Sequence, residues 1–150
     1  MKPKVLFLCT GNAARSQMAE GYLRHVASDK YEVLSAGIRP KGLHPLAIEV
    51  MSEIGVDISR QRSKDVRQML GIPVHYVVTV CDKAKEQCPI FPNTYKFIHW
   101  SLEDPAAVGG SEKEKVEAFR CVRDQIIRKI EEQFVPAGYL ARQLRHPSQR

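Results

Sequence analysis

The sequence predicts a single-domain α/β protein: a three-layer sandwich in which helices cover both faces of a four-stranded parallel sheet. Three observations carry that expectation. Four strand-length segments alternate with helical segments along the chain. The first strand segment, Val5–Leu8, is apolar without a break, as a strand buried on both faces must be. A chain of 150 residues is long enough for one substantial core.

Each element has its own warrant. After Val5–Leu8, a helix is expected from Ser16 to about Ala27, with Met18, Ala19, Tyr22, Leu23 and Val26 on one face and Ser16 as its N-cap. Tyr31–Ser35 alternates as a strand should and runs into Ser35-Ala36-Gly37. A second helix is expected from about Pro45 to Ile54, its apolar side formed by Leu46, Ala47, Val50, Met51 and Ile54. A short helix is expected over Ser63–Leu70. Val74–Val80, rich in β-branched residues, is the third strand and Tyr95–Trp100 the fourth. The last helix, about Ser111 to Phe134, buries Val116, Phe119, Ile126, Ile127, Ile130 and Phe134 and leaves Cys121 on the opposite, exposed side. The expected domain is 1–135. Residues 136–150, with Pro136, Gly138, Pro147 and several arginines, read as a loosely ordered basic tail.

Composition narrows the function classes. Hydrophobic and charged contents of 43% and 27% are those of an ordinary soluble protein, and no apolar run is long enough to cross a membrane. The apolar stretch near the N-terminus is too short for a signal-peptide core, so a cytoplasmic location is expected. The net charge of +6 is spread along the chain without a nucleic-acid motif; solvated surface charge or a small anionic substrate accounts for it. A monomer is expected. The four cysteines, in such a compartment, are not a disulfide scaffold, and with no C-x-x-C pair and no histidine at ligand spacing a metal site is not expected.

Cys9 is the residue that points to chemistry. It closes the first strand and opens Cys9-Thr10-Gly11-Asn12-Ala13-Ala14-Arg15-Ser16, which leads directly into a helix. In open parallel sheets ligands sit beyond the carboxyl ends of the strands. Backbone N–H groups of such a loop and of the helix N-terminus converge on one spot, and Arg15 adds a two-toothed grip on a tetrahedral oxyanion. Gly11 permits close backbone approach, and Asn12 tolerates a left-handed conformation. The same positive field favours the thiolate of Cys9 as a nucleophile.

Two further features bear on redox and acid chemistry. Cys81 ends the third strand and Cys88 follows seven residues later across a polar segment. Three such thiols invite a disulfide formed at Cys9 and carried outward by exchange. Spacing alone leaves open that Cys81 packs in the core and Cys88 is incidental. Asp104-Pro105 follows the fourth strand, where a carboxylic acid can protonate a leaving oxygen; Asp-Pro is equally a common turn opener.

Taken together, the loop Cys9–Ser16 continuing Gln17-Met18-Ala19-Glu20, Ser35-Ala36-Gly37, Thr79-Val80-Cys81 with Cys88-Pro89, and His99-Trp100 with Asp104-Pro105 resemble the low-molecular-weight protein tyrosine phosphatases. They are closer still to the thioredoxin-coupled arsenate reductases built on that fold. The resemblance covers roughly residues 3 to 134. It implies that arsenate, with phosphate and sulfate as competing oxyanions, binds Thr10, Gly11, Asn12, Ala13, Ala14, Arg15 and Ser16. It further implies that Cys9 attacks arsenic, that Asp104 protonates the departing oxygen, that Cys81 and then Cys88 complete a disulfide relay, and that thioredoxin reduces the product. Ser16 would stabilise the Cys9 thiolate, and no metal or organic cofactor would take part.

Some relatives bind potassium near the loop through Asn, Glu, Ser and Asp. Asn12, Glu20 and Ser35 match, but Lys64 stands at the Asp position, with Asp65 one residue on. The expectation is that the Lys64 ammonium occupies the cation site against Asn12 or Glu20. Two other functions use the same loop. A phosphotyrosine or phosphomonoester phosphatase needs only Cys9, Arg15 and Asp104, although Ala106 and Ala107 stand where such enzymes tend to carry aromatic residues. A non-catalytic oxyanion-binding regulator needs no acid at all.

Overall fold

The computed structural model describes residues 2–91 and 94–135; Pro92 and the 136–150 tail expected from the sequence lie outside them. Four parallel strands, β1 (Lys4–Cys9), β2 (Glu32–Gly37), β3 (Tyr76–Thr79) and β4 (Lys96–His99), form one sheet in the order β2-β1-β3-β4. The helices are α1 (Arg15–Ala27), α2 (Pro45–Ser52), α3 (Asp82–Glu86) and α4 (Glu112–Phe134), with 3-10 turns at Val66–Met69 and Pro105–Ala107.

The sheet is covered on both sides. Phe7 and Trp100 meet Phe134 of α4 on one face, where α4 also packs against α1. Side chains alternate along a strand, so Thr79 and His99 point to the other face, and there both lead to α3 through His99 and Asp82. Central β1 is accordingly apolar throughout, and Leu6, Phe7 and Leu8 are fully buried. Burying a side chain of this size stabilises by roughly 1.5–3 kcal/mol. Chain order reverses between β1 and β3. The crevice beyond their carboxyl ends is the topological switch point, and Cys9 and Cys81 both border it.

Several expected boundaries shift. Ser16 is not the N-cap of α1: Ala14 holds that position without a side-chain cap, and Ser16 lies in the first turn with its hydroxyl turned to Cys9. The helix expected over 63–70 shrinks to Val66–Met69. Ser63 and Lys64 instead hydrogen-bond to Gly11, Asn12 and Gly37, tertiary contacts that hold them extended, and Asp65 caps the short turn. β3 and β4 are shorter than their apolar runs, and α2 stops at Ser52 before Gly55 turns the chain at φ 80°. On α4, Ser111 forms a capping box with Glu114, and Cys121 is exposed. Among the described residues no helix is long and apolar enough to cross a membrane.

Candidate active site

The loop between β1 and α1 is shaped from behind. Gly37 of β2 leaves no space for a side chain: a Cβ there would come within 2.8 Å of Asn12 N and Thr10 O. Its glycine lets the loop lie directly on the sheet edge. Asn12 adopts a left-handed conformation, φ 46°, which an asparagine tolerates. That turn aims the Asn12 N–H at Cys9 Sγ, 3.1 Å away.

Asn12 is then fixed on both ends of its amide. Nδ2 donates to Ser16 Oγ (2.8 Å) and Ser35 Oγ (2.9 Å), while Oδ1 accepts from Lys64 N (2.8 Å) and Gln17 Nε2 (3.1 Å). Ser16 Oγ accepts from Asn12 Nδ2 and lies 2.8 Å from Cys9 Sγ, within hydrogen-bond distance. Ser35 likewise accepts from Asn12 and donates to Glu20. The buried Glu20 carboxylate is paired with Arg24 and, at 3.5 Å, with the Lys64 ammonium. Cys9 Sγ therefore lies between the Asn12 N–H and the Ser16 hydroxyl, and each is held by a partner deeper in the protein.

In front of the loop lies a cleft of about 460 Å³. Cys9, Thr10, Gly11, Ala13, Ala14 and Arg15 form its floor. The first-turn N–H groups of α1 have no side-chain cap, so they remain available to an anion. Arg15 Nη1 donates to Leu102 O at 2.9 Å, which fixes the guanidinium plane. Asp104 also lines the cleft: Oδ1 accepts from Ala106 N at 2.9 Å, and Oδ2 lies 3.9 Å from Arg15 Nη2. The turn reading and the acid reading of Asp104 are thus compatible. The side chains of Asn12 and Ser16 stay behind the loop as support.

Cys81 stands beside this loop. Its Sγ lies 3.3 Å from Thr10 Oγ1 and accepts from Ala84 N, capping α3 with its own thiol. Cys88 is half-buried just beyond the other end of α3 and donates to Pro89 O; burial pushes its thiol pKa up. Cys121 is far along α4 and exposed, outside this group. Among the described residues no cluster of three or more His, Cys, Asp or Glu side chains could hold a metal ion.

Lys64 Nζ lies 3.5 Å from both Glu20 Oε1 and Ser35 Oγ and donates to Arg62 O. Of the three side chains expected to surround a cation, Glu20 and Ser35 face the Lys64 ammonium, whereas Asn12 Oδ1 accepts from the Lys64 backbone N–H. Asp65 offers no alternative: its carboxyl binds Arg67, which holds it down at about 2.

Some supporting residues are invisible in the linear pattern. Gln17 is fully buried and donates to Asn12 O and Arg62 O, with Gln61 bound to it in turn. His44 lines the cleft with its ring 4.7 Å from Phe119. Lys41 and Lys83 also line the cleft. The one local signal for Gln17 is a polar residue on the buried side of α1.

Comparison with known proteins agrees with this architecture. The family model of the low molecular weight phosphotyrosine protein phosphatases matches residues 4–146. An arsenate reductase of Halalkalibacterium halodurans is 44% identical over 129 residues, 86% of this chain and 93% of its own. A solved arsenate reductase in a phosphate-binding state superposes with a TM-score of 0.76 at 35% identity, over 88% of this chain and 95% of the other. The thioredoxin-dependent arsenate reductase of Corynebacterium glutamicum gives 0.62 at 33% identity, over 87% of this chain and 62% of that longer one. With its loop, its cleft and these relatives, the chain belongs to the low molecular weight phosphotyrosine protein phosphatase family, on the branch of that fold occupied by the arsenate reductases.

Proposed function

We propose that this enzyme reduces arsenate to arsenite through a Cys9/Cys81/Cys88 thiol relay that thioredoxin regenerates. The observation that carries the reading is the position of Cys81: its sulfur rests on Thr10, the residue after the nucleophile, and a five-residue helix separates it from Cys88.

Arsenate binds against the loop N–H groups and Arg15. Cys9 thiolate attacks arsenic, an S–As bond forms, and one oxygen leaves as water with a proton from Asp104. Cys81 then attacks Cys9 Sγ. The new S–S bond releases the S–As electron pair to arsenic, which departs as arsenite, reduced by two electrons. Cys88 attacks Cys81, frees the Cys9 thiolate and leaves a Cys81–Cys88 disulfide. A thioredoxin dithiol takes up that oxidation. The thioredoxin-dependent relative supports this choice of reductant. A cycle through free thiols suits the reducing cytoplasm.

Arsenate-dependent NADPH oxidation, coupled through thioredoxin and its reductase, tests the relay in the wild type and in Cys88→Ser. Turnover should vanish in the variant and a Cys9–Cys81 disulfide should accumulate. Undiminished turnover in Cys88→Ser would remove Cys88 from the mechanism. If the variant instead hydrolyses phosphate esters as well as the wild type and neither reduces arsenate, the cleft serves as a phosphatase through Cys9, Arg15 and Asp104 alone. Lys64 takes the place of a bound cation in this reading, by keeping Glu20 and Ser35 in position. Activity should therefore be the same in potassium and sodium salts at equal ionic strength; selective activation by potassium would contradict that role.

A further inference from the structure

A second chain of polar contacts lies outside the anion loop, at the carboxyl ends of β3 and β4. Thr79 and His99 are register partners on β3 and β4. Thr79 Oγ1 is 2.7 Å from His99 Nδ1, and His99 Nε2 is 2.9 Å from Asp82 Oδ1. Ser101 Oγ donates to the same carboxylate oxygen at 3.4 Å. A ring protonated on Nε2 donates to Asp82 and accepts the Thr79 hydroxyl proton on Nδ1, so one tautomer satisfies both contacts.

Asp82 is the residue after Cys81, and its carboxylate is three-quarters exposed. An exposed pair of this kind adds little to stability. Its position is more telling. Up to Asp82 the chain is tied to the sheet: Val80 N donates to Leu8 O, Cys81 Sγ rests on Thr10, and Asp82 is held by His99 and Ser101. Past Asp82 the side-chain hydrogen bonds to the sheet stop, and the tie that remains is the buried methyl of Ala84. Lys83, Lys85, Glu86 and Gln87 are exposed, and no side-chain hydrogen bond holds any of them among the described residues; only Ala84 is buried.

We propose that Thr79, His99 and Asp82 form the anchor of the relay. They are positioning residues that keep Cys81 aimed at Cys9 while the segment after Asp82 rearranges to bring Cys88 to Cys81. This rests on the relay reading above. The anchor lets one end of a short segment stay aligned for the first thiol exchange while the other end moves for the second. Attack of a thiolate on a sulfur whose S–As bond breaks as the S–S bond forms is sensitive to alignment, so a loosened Cys81 slows the first exchange without touching oxyanion binding.

The test uses Cys88→Ser as parent, where the relay halts at Cys9–Cys81. Arsenate is added in a single turnover and that disulfide is timed by acid quench and peptide mass mapping. Adding Asp82→Ala should slow its formation about tenfold, and Thr79→Val should slow it too. Asp82→Asn, whose amide oxygen still accepts from Nε2–H, should restore most of the rate. Protection of Cys9 from iodoacetamide by inorganic phosphate reads the anion loop separately and should stay within about twofold of the parent. An Asp82→Ala variant as fast as its parent would overturn the anchor and leave the relay standing. Loss of phosphate protection in that variant would also overturn it, since the damage would then lie in the loop. A parent that forms no Cys9–Cys81 disulfide would overturn both.

Discussion

Residues 9–16 and residues 81–88 each begin with a cysteine at the carboxyl end of a parallel strand, yet they are built in opposite ways. The first stretch is backed by buried Asn12, Ser16, Gln17 and Ser35, with Glu20, Arg24 and Lys64 behind them. The second is one short helix, capped by its own thiol and anchored inward by Ala84. The difference separates two chemical needs. Donors around an oxyanion stabilise a transition state best when they do not reorganise, so the loop is over-determined. A thiol that must travel to another sulfur needs a segment that opens at little cost, so the relay stretch is under-determined.

The contrast can be broken most severely at Arg15. Lysine keeps the charge but loses the planar fork and the bond to Leu102 O, so Arg15→Lys should lower kcat/KM for arsenate about 10²–10³-fold, read from coupled NADPH oxidation. A smaller wild-type-like change would show that the helix N-terminus alone holds the oxyanion. Next, Asn12→Ala strips Ser16, Ser35, Gln17 and Lys64 N of a shared partner and puts an alanine at positive φ. Urea unfolding should show a loss of about 2–4 kcal/mol. A loss under about 1 kcal/mol would mean that the network behind the loop re-forms without it.

The relay stretch should respond more gently. Ala84→Gly weakens α3 by about 1 kcal/mol and should raise the alkylation rate of Cys88 about fivefold, measured by mass spectrometry, while Cys121 stays unchanged. The rate should climb with pH, because burial pushes the Cys88 thiol upward and leaves less thiolate near neutrality. Equal Cys88 reactivity in variant and wild type would place its protection outside the helix.

Legibility in the sequence follows the range of the interactions. The strands at Val5 and Tyr31, the helices starting near residue 16 and Ser111, and the Cys9-to-Ser16 loop are local patterns of period, cap and spacing, readable one window at a time. Ser16 shows where that fails. Its identity suits a helix cap, but a partner at Asn12 and a sulfur at Cys9 claim its hydroxyl. The segment after Ser63 fails the same way, since its polar groups find partners about fifty residues back.

What the amino-acid order determined by itself is the fold class and the chemical inventory: alternating strands and helices place Cys9, Cys81 and Asp104 at strand ends, and parallel topology gathers those ends on one rim. What only the tertiary structure decided is how tightly each member of that rim is held. Gln17 beneath the loop and His99 between Thr79 and Asp82 come from hydrogen bonds between distant residues. Such bonds leave no periodic trace, because a polar side chain carries the same donors and acceptors wherever its partner lies in the chain.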